Sequence, residues 1–118
     1  VCIQWSPLCR GHLARPVSEY GNNVRSSLEK EHNTHTIGRT EADLAIINRV
    51  EEIAKKRGWS MTQVSLAWIN KRVASPIIGF SSEERMDAAL AARGCVLTEE
   101  EERYLEEPYR PRPVNGHQ

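Results

Sequence analysis

Two short apolar runs, set far apart and joined by helical pattern, decide what this chain can fold into. Residues 1–5, Val1-Cys2-Ile3-Gln4-Trp5, alternate as a strand does and are stopped by Ser6-Pro7. The second run, Ser75-Pro76-Ile77-Ile78-Gly79, has the composition of a buried parallel strand. Between them Thr40 stands as a helix N-cap, with Glu41 and Asp43 in the first turn to complement the dipole. Leu44, Ile47, Val50, Ile53 and Ala54 then recur at helical spacing, Lys55-Lys56-Arg57 follow, and Gly58 supplies a stop. Ser60-Met61-Thr62-Gln63 is a capping-box pattern that opens a second helix running to about Arg72. Val64, Leu66, Ala67, Trp68 and Ile69 make that helix apolar on more than one face, which predicts extensive burial. After the second strand, Ser81 or Ser82 caps a third helix over residues 83–92. Thr98 caps an acidic fourth over 99–106, closed by Pro108.

Strand, helices, strand is a βαβ unit, and such units belong in parallel sheets. Two strands cannot complete one, because both edges and both apolar faces still need partners. A (β/α)8 barrel takes about 250 residues, and the two strands with their helices read as about the last third of one. The expected fold is therefore α/β: the C-terminal part of a TIM barrel, with its last two strands and flanking helices. One unit spans residues 1–118. It divides into a strand and turn (1–9), a long loop (10–39), a helix pair (40–72), a strand, turn and helices (74–107) and an extended tail (108–118). The chain opens on Val1 in mid-element, which reads as a fragment, a processed product or an incomplete gene model. The loop is rich in Gly, Asn, Ser, Arg and His. It reads either as a lid or binding loop or as a disordered excursion with some helix around residues 24–30.

Charge and cysteine usage exclude several functions. Lys+Arg and Asp+Glu both count 16, so nothing favours nucleic acid or an anionic membrane as a general partner. No apolar stretch approaches the ~18 residues of a membrane span, and no secretory leader pattern is present. Cys2, Cys9 and Cys95 form no C-x-x-C pair, and reduced cytoplasmic thiols are expected. His32 and His35 are spaced as two metal ligands can be, yet lack a third; no metal site is expected. Residues 53–64 resemble a helix-turn-helix, a minor alternative as a DNA-binding module. A recognition helix must expose polar side chains, whereas Leu66, Trp68 and Ile69 call for burial.

The residues that follow the two strands carry a resemblance. Trp5-Ser6-Pro7-Leu8-Cys9-Arg10-Gly11 comes directly off a strand end, where (β/α)8 barrels place functional groups. It resembles the W/Y-S-P-L-x-x-G signature of aldo-keto reductases. The resemblance implies that Trp5 stacks on a nicotinamide ring. It also implies that Ser6, Pro7, Leu8, Cys9 and Arg10 wrap the pyrophosphate. Pro76-Ile77-Ile78-Gly79-Phe80-Ser81-Ser82-Glu83-Glu84-Arg85 is similar to the family's P-I-x-G-x-S-x-x-x-[RQ] run. There Gly79, Phe80, Ser81 and Ser82 would hold the adenosine 2′-phosphate at a helix N-terminus. Arg85 would lie against the adenine or the 2′-phosphate and favour NADP(H) over NAD(H). Ala88 and Ala89 depart from the acidic residue and Asn that members often carry for the adenine. Residues 47–68, 97–101 and 106–109 are similar to the C-terminal helices of the aryl-alcohol-dehydrogenase-like branch.

The resemblance implies a cytoplasmic oxidoreductase that reduces aldehydes or ketones to alcohols with NADP(H). The family's catalytic Asp, Tyr, Lys and His lie upstream of anything matched here. Tyr20, Tyr104, Tyr109 and the histidines do not correspond to them, so no catalytic residue is expected in this chain. A nucleotide-binding regulatory or vestigial chain is the alternative. Taken singly, Trp5 also reads as a core aromatic, and Arg10 and Arg85 as solvated charges. Ser81 and Ser82 serve as helix caps under any reading.

Overall fold

The computed structural model describes residues 1–19 and 40–111. Strand β1 (Ile3–Trp5) is followed by two 3-10 turns, Cys9–Ala14 and Val17–Glu19. Helices α1 (Glu41–Arg57) and α2 (Met61–Asn70) lead to strand β2 (Ser75–Ile77). Helix α3 (Glu83–Ala91) runs into a 3-10 turn, Ala92–Gly94, and α4 (Glu99–Glu106) follows. The strands pair in parallel, with Ile3 opposite Ser75, Gln4 opposite Pro76 and Trp5 opposite Ile77. The crossover expected from the order of elements is therefore formed.

Local chemistry sets the helix ends where the sequence put them. Thr40, Ser60 and Thr98 each close a reciprocal capping box, with Asp43, Gln63 and Glu101 as the third helical residue. Of the two candidate caps before α3 it is Ser82 that acts, its hydroxyl accepting from the Arg85 amide at 3.3 Å. Gly58 ends α1 in the left-handed conformation at φ 67. Helix α2 stops at Asn70, short of Arg72, because the Arg72 and Val73 amides both turn back to the Ile69 carbonyl.

Two clusters divide the interior, and α2 faces both. Val64 and Ala67 join Ile47, Val50, Ile53 and Ala54 of α1, with Leu97 and Leu105 sealing the far side. Leu66 points the other way, against Ala89 and Ala92, with Leu8, Ile69 and Ile78 packed around it. A helix wedged between two layers needs apolar residues around most of its circumference, which is the pattern seen. Trp68 and Ile69, expected inside, are half-buried at its end.

The run 75–79, read as a buried parallel strand, forms a parallel strand over Ser75–Ile77 but is not buried. Ile3, Trp5 and Ile77 share a face of the sheet and are 60%, 69% and 54% exposed. Burial of a parallel strand needs neighbours at both edges and a layer on each face. Among the described residues there are two strands and a helical layer on one face. The described beginning of the long loop folds onto α2: His12 is buried and the Ser65 hydroxyl donates to the Leu13 carbonyl at 2.9 Å. The helix expected around residues 24–30, Tyr20, His32, His35 and most of the tail lie outside the described residues. No helix among the described residues is long and apolar enough to cross a membrane.

Candidate functional site

The chain leaves β1 through an unusual turn. Ser6, Cys9 and Arg10 hold φ values of 56, 48 and 57, and Gly11 follows at 96. Left-handed backbone costs a non-glycine residue about 1 to 2 kcal/mol, so three in five residues need support. Hydrogen bonds from Cys9 to the Ser6 carbonyl (3.0 Å) and from Gly11 to the Leu8 carbonyl (2.9 Å) supply part of it. Leu8 packed beside Leu66 supplies more. Strain held this way collects at binding and catalytic sites.

Across from this turn the chain leaves β2 through Ile78, Gly79 and Phe80 into the N-terminus of α3. The Arg85 guanidinium folds back to donate to the Ser81 hydroxyl at 2.8 Å. A cleft of about 800 Å³ lies between the two segments. Ser6, Pro7, Leu8 and Arg10 line it from the β1 side, and Gly79, Phe80, Ser81 and Arg85 from the β2 side. Those eight expected site residues, drawn from two segments far apart in sequence, are thus brought together. Trp5, Cys9 and Ser82 are not among the lining residues. The Trp5 side chain lies on the open face of the sheet, Cys9 is half-buried within the turn, and Ser82 is engaged in capping.

Sequence reading missed Gly11, Ala14, Arg15 and Thr62, which also line the cleft, as do Ile77 and Ile78. Thr62 carried a faint signal, being the residue after the first of α2 and so close to a helix N-terminus. Arg15 carried none, since only the 3-10 turn brings it back to the cleft. Ala88 and Ala89 form part of the wall and offer it methyl groups alone. The electrostatics are one-sided. Arg10, Arg15 and Arg85 line the cleft, and no Asp or Glu among the described residues does, although acids and bases balance over the whole chain. No Tyr, His or Lys lines it among the described residues either.

A further hollow, about 710 Å³ between α1 and α4, differs in kind. Its lining mixes Lys56 and Arg57 with Glu52, Glu100 and Glu101, and Arg57 and Glu101 pair with each other. Arg57 Nε donates to Glu101 Oε2 at 2.9 Å, and a second guanidinium nitrogen meets Oε1. This fork, with help from the Thr98 amide and hydroxyl, holds the Glu101 carboxyl down at about 2 against the desolvation that opposes it. Tyr104 donates its hydroxyl to Glu52, which raises the phenol above its usual range. Arg49 stacks on the Tyr104 ring at 4.3 Å from its centroid. These contacts clasp α4 to α1 and leave little for a ligand.

The comparison with known proteins bears on the cleft. The model of the aldo/keto reductase family matches residues 1–110. The chain belongs to this family. It is similar to an aldo-keto reductase of Fusarium vanettenii, with 50% identity over 115 residues, covering 98% of this chain and 31% of the relative. A Saccharomyces cerevisiae protein named as an aryl-alcohol dehydrogenase is 39% identical over 92% of the chain and 32% of its own length. The versiconal hemiacetal acetate reductase of Aspergillus parasiticus is 42% identical over 96% of the chain and 33% of its own. The chain thus spans about a third of the length of the curated relatives it matches.

Proposed function

We propose that this chain is the NADP(H)-binding C-terminal part of an oxidoreductase that interconverts aldehydes or ketones and alcohols. Its two strands would be the last two of a (β/α)8 barrel. The observation that carries the reading is the cleft with three guanidiniums and no carboxylate among the described residues, at the ends of both strands. NADPH carries a diphosphate and a 2′-phosphate, and guanidiniums recognise phosphate oxygens through paired N–H donors. The fit is good on other grounds. A Cβ built on Gly79 meets nothing within 4 Å, so there is open space where a ligand would approach the backbone. Ser81 and Arg85 already make a joined polar pair beside the N-terminus of α3, a favourable place for an anion.

In this reading Ser81, Ser82 and Arg85 hold the 2′-phosphate, with Gly79 and Phe80 shaping the approach. Ser6, Pro7, Leu8, Cys9 and Arg10 wrap the diphosphate. Trp5 presents its indole on the open sheet face as the platform for the nicotinamide. When bound, the cofactor supplies or takes the hydride at the carbonyl carbon. This chain's residues bind and orient it, and none is assigned to proton transfer. The second reading is a chain that binds nucleotide without catalysis. The protein would work in the cytoplasm on small carbonyl compounds.

Titration of the natural gene product with NADPH and NADH, followed by quenching of tryptophan fluorescence, tests the cofactor. NADPH should bind at least roughly tenfold more tightly, about 1.4 kcal/mol. Equal affinities, or none, would refute the proposal. Turnover of an aldehyde with NADPH separates the enzyme from the binding-only chain.

A further inference from the structure

Helix α3 turns one stripe into the cleft, and beyond its first turn that stripe is bare of polar side chains. Arg85, Ala88 and Ala89 stand at i, i+3 and i+4 and all line the cleft. Ala89 is buried against Leu66, which fixes its place, and Ala88 is half-buried beside it. The acids of the same helix, Glu83, Glu84 and Asp87, are exposed, and none of them lines the cleft. No Asp, Glu, Asn or Gln lines any part of it among the described residues. The Ser81 hydroxyl, at the head of this wall, already accepts from Arg85 at 2.8 Å. Inside a helix the backbone carbonyls accept from amides one turn further on. Phe80, on the same side and 42% exposed, offers the cleft a ring.

With the 2′-phosphate on Ser81, Ser82 and Arg85, the base has little choice of place. It hangs from the ribose carbon next to the one that carries the phosphate. Ala88 and Ala89 lie about 4.5 to 6 Å along the helix from Arg85, at about 1.5 Å per residue, which is the scale of that separation. We infer that the base rests on the methyl groups of Ala88 and Ala89 and on the Phe80 ring, and that this chain does not read the 6-amino group of adenine. Reading an amine takes an acceptor such as a carboxylate or amide oxygen, and no such side chain lines this wall. Stacking and apolar contact accept any purine, because every base has a π-face. The site therefore selects its cofactor by the 2′-phosphate and is indifferent between adenine and hypoxanthine. The inference rests on the reading of the cleft as an NADP(H) site and adds which part of the cofactor carries its selectivity.

The test compares NADPH with its hypoxanthine analogue, in which a carbonyl oxygen replaces the 6-amino group, on the natural gene product by quenching of tryptophan fluorescence. The two nucleotides should bind within about twofold of each other. An acceptor built to hold the amine would face a carbonyl in the analogue, and binding would fall roughly tenfold or more. A preference of that size for NADPH overturns the inference and leaves the cofactor reading standing. Ala88→Glu supplies the missing acceptor and should turn indifference into a preference for NADPH of roughly fivefold or more. Equal binding of the two nucleotides by Ala88→Glu removes Ala88 from the base and overturns the inference too. Should that variant fail to fold, the wild-type comparison decides by itself. A wild-type protein that binds neither nucleotide refutes the cofactor reading, and the inference falls with it.

Discussion

Leu66 links the core to the cleft, and its truncation tests that link. Its side chain is 1% exposed and packs against Ala89 and Ala92, with Leu8 and Ile78 beside it. Leu8, Ile78 and Ala89 also line the cleft, so Leu66 braces both of its walls from behind. Leu66→Ala removes three carbons, worth about 2.4 kcal/mol at about 0.8 kcal/mol each. A cavity term adds to this, because the neighbouring alanines are too short to collapse into the space. The total expected is about 3 to 5 kcal/mol. Leu97→Ala is the control: Leu97 is equally buried at 2%, but it lies in the cluster between α1, α2 and α4, away from the cleft. Urea unfolding of the natural gene product should give both variants similar losses. NADPH titration, at a temperature where both remain folded, should separate them. Leu66→Ala should bind about tenfold more weakly, and Leu97→Ala as the wild type does. Equal binding by the two variants would refute the brace, as would a loss in Leu66→Ala below about 1 kcal/mol.

Three further outcomes are expected. Arg85→Ala should lower the ratio of NADPH to NADH affinity by roughly tenfold or more, since a charge-assisted contact to phosphate contributes about 1.5 to 3 kcal/mol; an unchanged ratio removes Arg85 from the site. Gly11→Ala should destabilise by about 1 to 2 kcal/mol in urea unfolding, because φ 96 strains any side chain; unaltered stability would mean that the turn relaxes freely. Glu101 has a folded value of about 2 against an ordinary 4.5, so its pairing with Arg57 stabilises fully above pH 4.5 and is lost as pH falls toward 2. The melting temperatures of wild type and Glu101→Gln should therefore differ near pH 6 and converge toward pH 2; a gap that persists there would refute the assignment.

The sequence by itself determined the local architecture. Thr40, Ser60 and Thr98 chose helix starts, and Gly58 chose a stop, because a cap satisfies backbone groups within a few residues and needs no distant partner. The apolar spacing of α1 and the all-round apolar α2 predicted a helix pair with α2 largely buried. The motifs at the two strand ends mark residues far apart in sequence, and eight of them line one cleft. Only the tertiary structure decided the rest. Arg15 enters the cleft because the 3-10 turn after Cys9 doubles back over Gly11, and no pattern in the sequence encodes that reversal. Trp5 and Ile77 look like core residues in the sequence and stand exposed on the sheet. Whether an apolar side chain is buried depends on the layers laid against it, and these come from distant chain, which a local pattern cannot supply.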